Sequence, residues 1–389
     1  MNNNCTDTDA LLLGDRPKVL VGMSGGVDSS ITAYLLRQQG YYTEGLSFIL
    51  WGSERSEATG SSSACCSAAS LNDAKATALA LGIKHSLLDV RLEFMQQVIE
   101  PFIESYKRGF TPNPCVLCNQ YVKFPYLLSE ADARGFDYIA TGHYAVIERQ
   151  PEPSLLTASD RIKDQSYFLY VLNRQTLSRL LFPLGWLNKT QVKELARDLT
   201  LPCCMRPESQ DICFVDNTGY RGFLTTYLKD AQAAGPIVDM GGKTIGTHNG
   251  LYAYTIGQRR GIGIAAKEPL YVIDVDISSN TLIVGPKSFG LKGGFKVNKL
   301  NWLVPVTNVP ELVHVKFRST MRPTPASIKI TSDNTIEVIM HTLQWSPAPG
   351  QSAVLYVGDK VIGGGEVVEE RRRGSVSPPQ TPSQGDSSP

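Results

Sequence analysis

The first half of the chain alternates short, solidly apolar runs with longer stretches in which apolar side chains return every three or four positions. KVLVGM (18–23) has the unbroken apolar character of a strand covered on both faces. Val27, Ile31, Tyr34 and Leu35 then recur at helical spacing as far as Gly40, a suitable C-terminal stop. EGLSFIL (44–50) predicts a second strand, LNDAKATALALG (71–82) a helix ended by Gly82, and KHSLLDV (84–90) a third strand. Residues 91–108 read as helical but contain Pro101, which predicts a kink or a break. YIATGHYAVI (138–147) predicts a further strand. Strands alternating with helices predict an α/β fold, a doubly wound parallel sheet with helices on both faces.

The pattern changes after about residue 215. Residues 216–287 mix a short helical piece, YRGFLTTYLKDA, with glycine-rich, strand-like runs. From about 290 the period is two. Ile328 and Ile330, then Ile336, Val338 and Met340, alternate around an Asp-Asn turn, and QSAVLYVGDKVIGGGEV repeats the theme around Gly-Asp. These residues predict a small terminal barrel or sandwich. The expected division is 17–215, 216–287 and 288–368, with polar ends at 1–16 and 369–389 read as disordered.

Composition narrows the class. A chain of 389 residues exceeds one typical core, and 42% hydrophobic with 19% charged residues is ordinary for a soluble protein. No apolar stretch approaches the roughly 20 residues of a membrane span. The N-terminus, MNNNCTDTDALLLGDRP, lacks the basic start and long apolar run of a signal peptide, so a cytoplasmic location is expected. There thiols stay reduced, and the eight cysteines point to chemistry rather than to stapling. Net charge is only +1, so any nucleic-acid binding must rest on local basic patches such as Arg259-Arg260, Lys316-Arg318-Arg322 and Arg371–Arg373.

VGMSGGVDSS (21–30) carries the clearest chemistry. A strand-to-helix corner built from Ser24, Gly25 and Gly26 frees backbone N–H groups at the positive end of a helix dipole, which makes an anion site. Ser24, Ser29 and Ser30 can add neutral donors. Asp28 would repel a phosphate at close range and is expected to act through Mg²⁺. The usual phosphate-loop lysine is absent. SGGVDS is the signature of the PP-loop, or N-type ATP pyrophosphatase, family, and the chain resembles it here. The resemblance implies that ATP is split between its α and β phosphates, that AMP is attached to a carbonyl oxygen, and that the loop grips the departing pyrophosphate.

The cysteines offer several readings. Cys115-x-x-Cys118 is half of a zinc site, but the adjacent pairs Cys65-Cys66 and Cys203-Cys204 lack the spacing to complete it. A redox reading needs a thiol within reach of substrate and a partner that resolves it. The contexts are more specific. TPNPCVLCN…KF (111–124), TGHY (141–144), KDQSYFLY (163–170), ICF (212–214) and IGQRRGIG (256–263) follow in that order. From about residue 17 to 368 the chain resembles the tRNA-specific 2-thiouridylase family, which exchanges oxygen for sulfur at C2 of the wobble uridine.

That resemblance implies an ATP-binding catalytic domain, a small central domain and a C-terminal β-barrel, with tRNA as substrate and a sulfur-donor protein as partner. It implies a persulfide on Cys213 and a resolving nucleophile at Cys118, which form a disulfide as sulfur is handed over. Because these lie 95 positions apart, they must meet through the fold, with a mobile segment expected around 203–213, where Pro202, Pro207 and Ser209 stand. ATP contacts are implied at Gly22, Met23, Ser24, Gly25, Gly26, Val27, Asp28 and Ser29, and at Phe48 and Gly142. Contacts with tRNA are implied at Asn113, Pro114 and Cys115 beside the target base, at His143, at Lys163, Asp164 and Gln165, and at Arg318, Ser319 and Gln351 in the barrel. Two departures stand out: Cys115 occupies a position where many relatives carry aspartate, and Phe48 one where they carry a methionine-like side chain. Other readings are a different PP-loop enzyme, a zinc-stabilised RNA-binding module, and a thiol–disulfide carrier that needs no ATP.

Overall fold

The computed structural model describes residues 16–51, 68–205, 212–215, 218–228, 233–332 and 334–368. The expected disordered ends, Cys65-Cys66, Pro207, Ser209 and Arg371–Arg373 lie outside the described residues. Along the first part run strands β1 (Lys18–Gly22), β2 (Tyr42–Ile49), β3 (His85–Asp89), β4 (Tyr138–Thr141), β5 (Val146–Glu148), β6 (Ser154–Leu156) and β7 (Leu180–Leu181). Five of them make one parallel sheet in the order β3-β2-β1-β4-β7. Val19, Leu20 and Val21 of the central β1 are fully buried, as an apolar strand with helices on both faces requires. The order reverses between β1 and β4, so the crevice beyond their carboxyl ends is where a ligand belongs. Helices α1 (Val27–Gln38) and α2 (Ala68–Ala80) pack beside it.

One expectation from the sequence is corrected and another takes a specific form. Residues 138–147 form two strands in two different sheets: β4 belongs to the parallel sheet, and β5 pairs with β6, which extends the C-terminal sheet through β17. The apolar run is continuous because both halves are buried, and the change of direction falls at Gly142–Ala145. Residues 91–107 stay helical through Pro101, and the irregularity expected there is a change of helix type just before it. A π-helical turn, Met95–Ile99, precedes Glu100–Lys107, so the proline stands in the first turn of a new α-helical segment, where its missing N–H costs little.

The central unit is a four-stranded sheet of β8 (Gly235–Val238), β9 (Thr244–His248), β10 (Tyr271–Asp276) and β11 (Thr281–Gly285), ordered β10-β11-β8-β9. The last unit contains β12 (Leu291–Trp302), β13 (Leu312–Lys316), β14 (Thr324–Ser332), β15 (Thr335–Trp345), β16 (Ser352–Val357) and β17 (Lys360–Val367). They run β12-β15-β14-β13-β16-β17, and β17 pairs again with β12, which closes the barrel. Ile328, Ile336, Val338 and Met340 fill its interior, whereas Ile330, next to a register shift near the hairpin end, is exposed.

Candidate active site

The corner after β1 folds as the residue types dictate. Gly25 has φ +74°, and a Cβ there would fall 2.0 Å from the carbonyl oxygen of Ser70, so backbone conformation and space both require glycine. Gly26 is the N-cap of α1 and offers no side chain to the first-turn N–H groups. The serines shape the loop from inside: Ser24 N–H donates to Ser29 Oγ at 3.1 Å, and Ser29 and Ser30 donate to the Gly26 carbonyl at 3.1 and 2.9 Å. From β4, Gly142 lies so close to the start of α1 that a Cβ would sit 2.7 Å from Ser29 N.

A cavity of about 330 Å³ opens beyond these turns. Gly22, Met23, Ser24, Gly26, Val27, Asp28, Ser29, Phe48 and Gly142 line it, which brings together all the expected nucleotide contacts except Gly25, packed against α2. Lys163, expected as a tRNA contact, and three residues that sequence reading missed supply its charge: Lys123, Lys163, Lys189 and Lys193 face a single carboxylate, Asp28. The lysine missing from the loop is thus replaced by cations from distant segments. The one local signal for Lys189 is the Asn188–Gln191 capping box that opens the helix Lys189–Asp198. Asp28 itself accepts from Lys189 Nζ at 2.6 and 2.8 Å and from the Tyr144 hydroxyl at 2.8 Å. An excess of ammonium groups around a cradle of N–H groups suits a polyphosphate. A divalent cation would find one carboxylate here and need phosphate oxygens for most of its other ligands.

His143 also lines the cavity. Its Nδ1 is 2.7 Å from the Thr141 hydroxyl, its ring packs against Phe124 and Phe182, and burial lowers its pKa to about 3. It is therefore a neutral group at physiological pH.

Cys118 ends the helix Pro114–Cys118, with Asn113 as N-cap and Pro114 at its first position. Cys118 is buried and Cys115, one turn back, is exposed. Cys118 lies in an apolar cluster with Phe94, Phe102 and Phe214, and half-buried Cys213 packs against the same cluster. Leu50 belongs to that cluster and lines the cavity, so the two sulfur-bearing segments adjoin it. Residues 206–211, the middle of the segment expected to move, lie outside the described residues.

The remaining expected contacts divide into exposed groups and struts. Arg318 is exposed, and Lys163 and Ser319 are half-buried. Asp164 is inward: its carboxylate accepts from Ala158 N, Ser166 N and Ser166 Oγ and pairs at 3.5 Å with Lys316, both side chains being under a tenth exposed. Lys316 is accordingly withdrawn from the basic patch in which the sequence had grouped it. Gln165 accepts the Tyr144 N–H at 2.9 Å, and Gln351 donates to the Thr111 carbonyl at 3.0 Å, clamping the barrel to the chain just before Asn113. Asn113 is hydrogen-bonded to the Tyr167 hydroxyl, which donates to the Ser352 carbonyl at 2.9 Å. In sequence Lys163, Asp164 and Gln165 look like a solvated turn. The structure instead ties that turn to the barrel through Asp164 and Lys316, and ties the start of the cysteine helix to it through Asn113 and Gln351.

Comparison with known proteins agrees with this architecture. Residues 17–217 match the family described as tRNA methyl transferase HUP domain, 221–286 its PRC-barrel domain, and 292–367 the aminomethyltransferase beta-barrel domain. The chain is similar to the tRNA-specific 2-thiouridylase MnmA of Geobacter metallireducens, 41% identical over 354 residues that cover 90% of this chain and 96% of the relative. The like-named protein of Chloroflexus aggregans is 43% identical over 353 residues, covering 89% and 97%. That of Rickettsia akari is 40% identical over 364 residues, covering 92% and 99%. With such identity sustained across all three units, the chain belongs to the tRNA-specific 2-thiouridylase family.

Proposed function

We propose that the chain is a tRNA-uridine 2-sulfurtransferase that uses ATP to replace the C2 oxygen of the wobble uridine by sulfur. The observation that carries this reading is the adjacency of the glycine–serine cradle to one apolar cluster that holds Cys118 and packs Cys213. The relatives' names, read as tRNA 2-thiouridylases, support the substrate and the reaction class. The working division is a catalytic domain at 17–215, a central domain at 216–287 and a barrel at 288–368.

ATP, when bound, supplies the adenylyl group that turns the uridine C2 oxygen into a leaving group. Gly22–Ser29 and Gly142 would hold it, Phe48 would lie near the base, and Asp28 would meet Mg²⁺. The chain's own part is sulfur delivery. Cys213 carries the sulfane sulfur loaded by a donor protein, and its outer sulfur forms the new bond to C2 as AMP departs. Cys118, as thiolate, attacks the inner sulfur of Cys213; that sulfur–sulfur bond breaks, its electron pair stays with the new thiocarbonyl, and a Cys118–Cys213 disulfide results. An external dithiol then resets the pair by exchange. The apolar surroundings of Cys118 keep water from competing with sulfur. Lys163, Arg318, Ser319, half-buried Asn113 and exposed Cys115 offer groups to tRNA, whereas Pro114 is buried and sets the start of the cysteine helix. Asp164, Gln165, Gln351 and His143 act by holding those segments in place. A thiol at position 115 is a poor substitute for a carboxylate general acid/base, so either water or phosphate moves the proton or the role is dispensable.

The test is formation of 2-thiouridine in unmodified tRNA with ATP and a sulfur donor. Cys118→Ser and Cys213→Ser are each expected to abolish it, and Cys115→Ser only to weaken it. Full turnover by either of the first two variants removes the mechanism.

A further inference from the structure

We infer that Lys189 is the cation that grips the polyphosphate chain in this site, held in reserve against Asp28 until a polyphosphate draws it away; this rests on the ATP reading above. The loop has no lysine of its own, yet Lys189 Nζ lies 2.6 and 2.8 Å from the two Asp28 oxygens, one residue past the N1 position of α1. Its side chain is only 12% exposed, and its ammonium stands 5.7 Å from the centre of the Tyr144 ring. Tyr144 in turn donates to Asp28, so the lysine is fixed at the rim of the cradle by a carboxylate and an aromatic face together.

Two features make this arrangement a reserve rather than a brace. The first is placement. Asp28 sits in the first turn of α1, where N–H groups and the helix dipole favour an incoming anion, and a carboxylate facing that anion needs a counter-charge whenever no anion is bound. Lys189 supplies it. When phosphate oxygens arrive they offer the ammonium a second anionic partner, and Asp28 becomes available to a phosphate-bound divalent cation. The second feature is the anchor. Lys189 opens its helix with the Asn188–Gln191 capping box, and its own N–H donates to Asp160 Oδ2 at 3.0 Å. Asp160 Oδ1 accepts from the N–H groups of Ile162 and Lys163, which begin the loop that offers Lys163 to the same cavity. The backbone at residue 189 is therefore fixed, while a four-carbon stem lets the ammonium move between partners.

The test uses the whole chain without tRNA, titrated by calorimetry with α,β-methylene-ATP and with AMP in EDTA. Lys189→Met is expected to weaken the methylene analogue about 10- to 100-fold, the scale of one charge-assisted contact, and AMP by less than about twofold. Lys189→Arg recovers most of the loss. Asp28→Asn, which releases Lys189, tightens the analogue several-fold without any divalent cation, and the gain disappears in the double variant. That double variant removes both charges together, so it keeps the question answerable if Lys189→Met alone fails to fold. Equal losses for AMP and the analogue, or weaker analogue binding in Asp28→Asn, would make the pair a structural brace and overturn the inference. A wild-type chain that binds AMP and the analogue equally well overturns the lysine assignment alone. One that binds neither overturns the ATP reading, and this inference with it.

Discussion

Gly142 and Gly22 both line the cavity beside the glycine–serine cradle, and the structure separates them sharply. A methyl group on Gly22 would meet Leu127, Thr141 and the Ala140 carbonyl at 3.5–3.7 Å, ordinary contact distances. The same group on Gly142 would lie 2.7 Å from Ser29 N and 2.8 Å from Asp28 C. Both of these neighbours are backbone, so no side chain can swing aside. The end of β4 and the first turn of α1 must separate by about 0.7 Å before ordinary contact at 3.4 Å is restored. Overpacking of this kind costs about 1–3 kcal/mol. For a domain of roughly 200 residues each kcal/mol lowers the melting temperature by about 2–4 °C. The displaced turn is the cradle itself, so binding of α,β-methylene-ATP should weaken by at least about tenfold. Gly22→Ala should lower the melting temperature by no more than about 2 °C and leave binding within about twofold. Thermal denaturation and calorimetric titration of the two variants decide the matter. Wild-type melting and affinity in Gly142→Ala, or equal damage from both substitutions, would refute the close approach of β4 to α1.

Lys316→Met should cost about 3–5 kcal/mol, because it strands the Asp164 carboxylate inside the protein; Asp164→Asn with Lys316→Met should recover most of it, as denaturation curves would show. His143 titrates near 6.5 when unfolded and near 3 when folded, so its contribution to stability is fully present above pH 6.5 and falls as pH drops toward 3. The loss is at most about 1.4 kcal/mol per pH unit, and His143→Gln should flatten that part of the stability–pH curve; parallel curves for the two proteins would refute it. Binding of tRNA should weaken steeply with salt, and replacing the exposed Arg259 and Arg260 by Ala should reduce the slope of log affinity against log salt by about two. An unchanged slope would remove these arginines from the phosphate contacts.

Local pattern settled a good deal. The unbroken apolar character of 18–23 and 44–50, the helical spacing from Val27 to Leu35, and the alternation from Ile336 to Met340 each reflect a side-chain environment that repeats along the chain. Such environments leave a periodic mark. SGGVDSS was equally legible, because Gly25 is imposed by its own φ and by the nearness of Ser70, and the serines bond within the turn. What sequence could not reveal was which charges face inward. Lys189 meets Asp28 from 161 positions away, Lys316 meets Asp164 across 152, and Gln351 reaches Thr111 across 240. A polar side chain has the same letter whether water or a buried partner satisfies it, and only the packing of one unit on another decides which. The same holds for the split of 138–147 between two sheets, since apolar residues carry no record of which neighbour buries them. Sequence thus fixed the loop that can cradle a phosphate, and tertiary structure chose the lysine beside it and gathered Cys118 and Cys213 into one cluster.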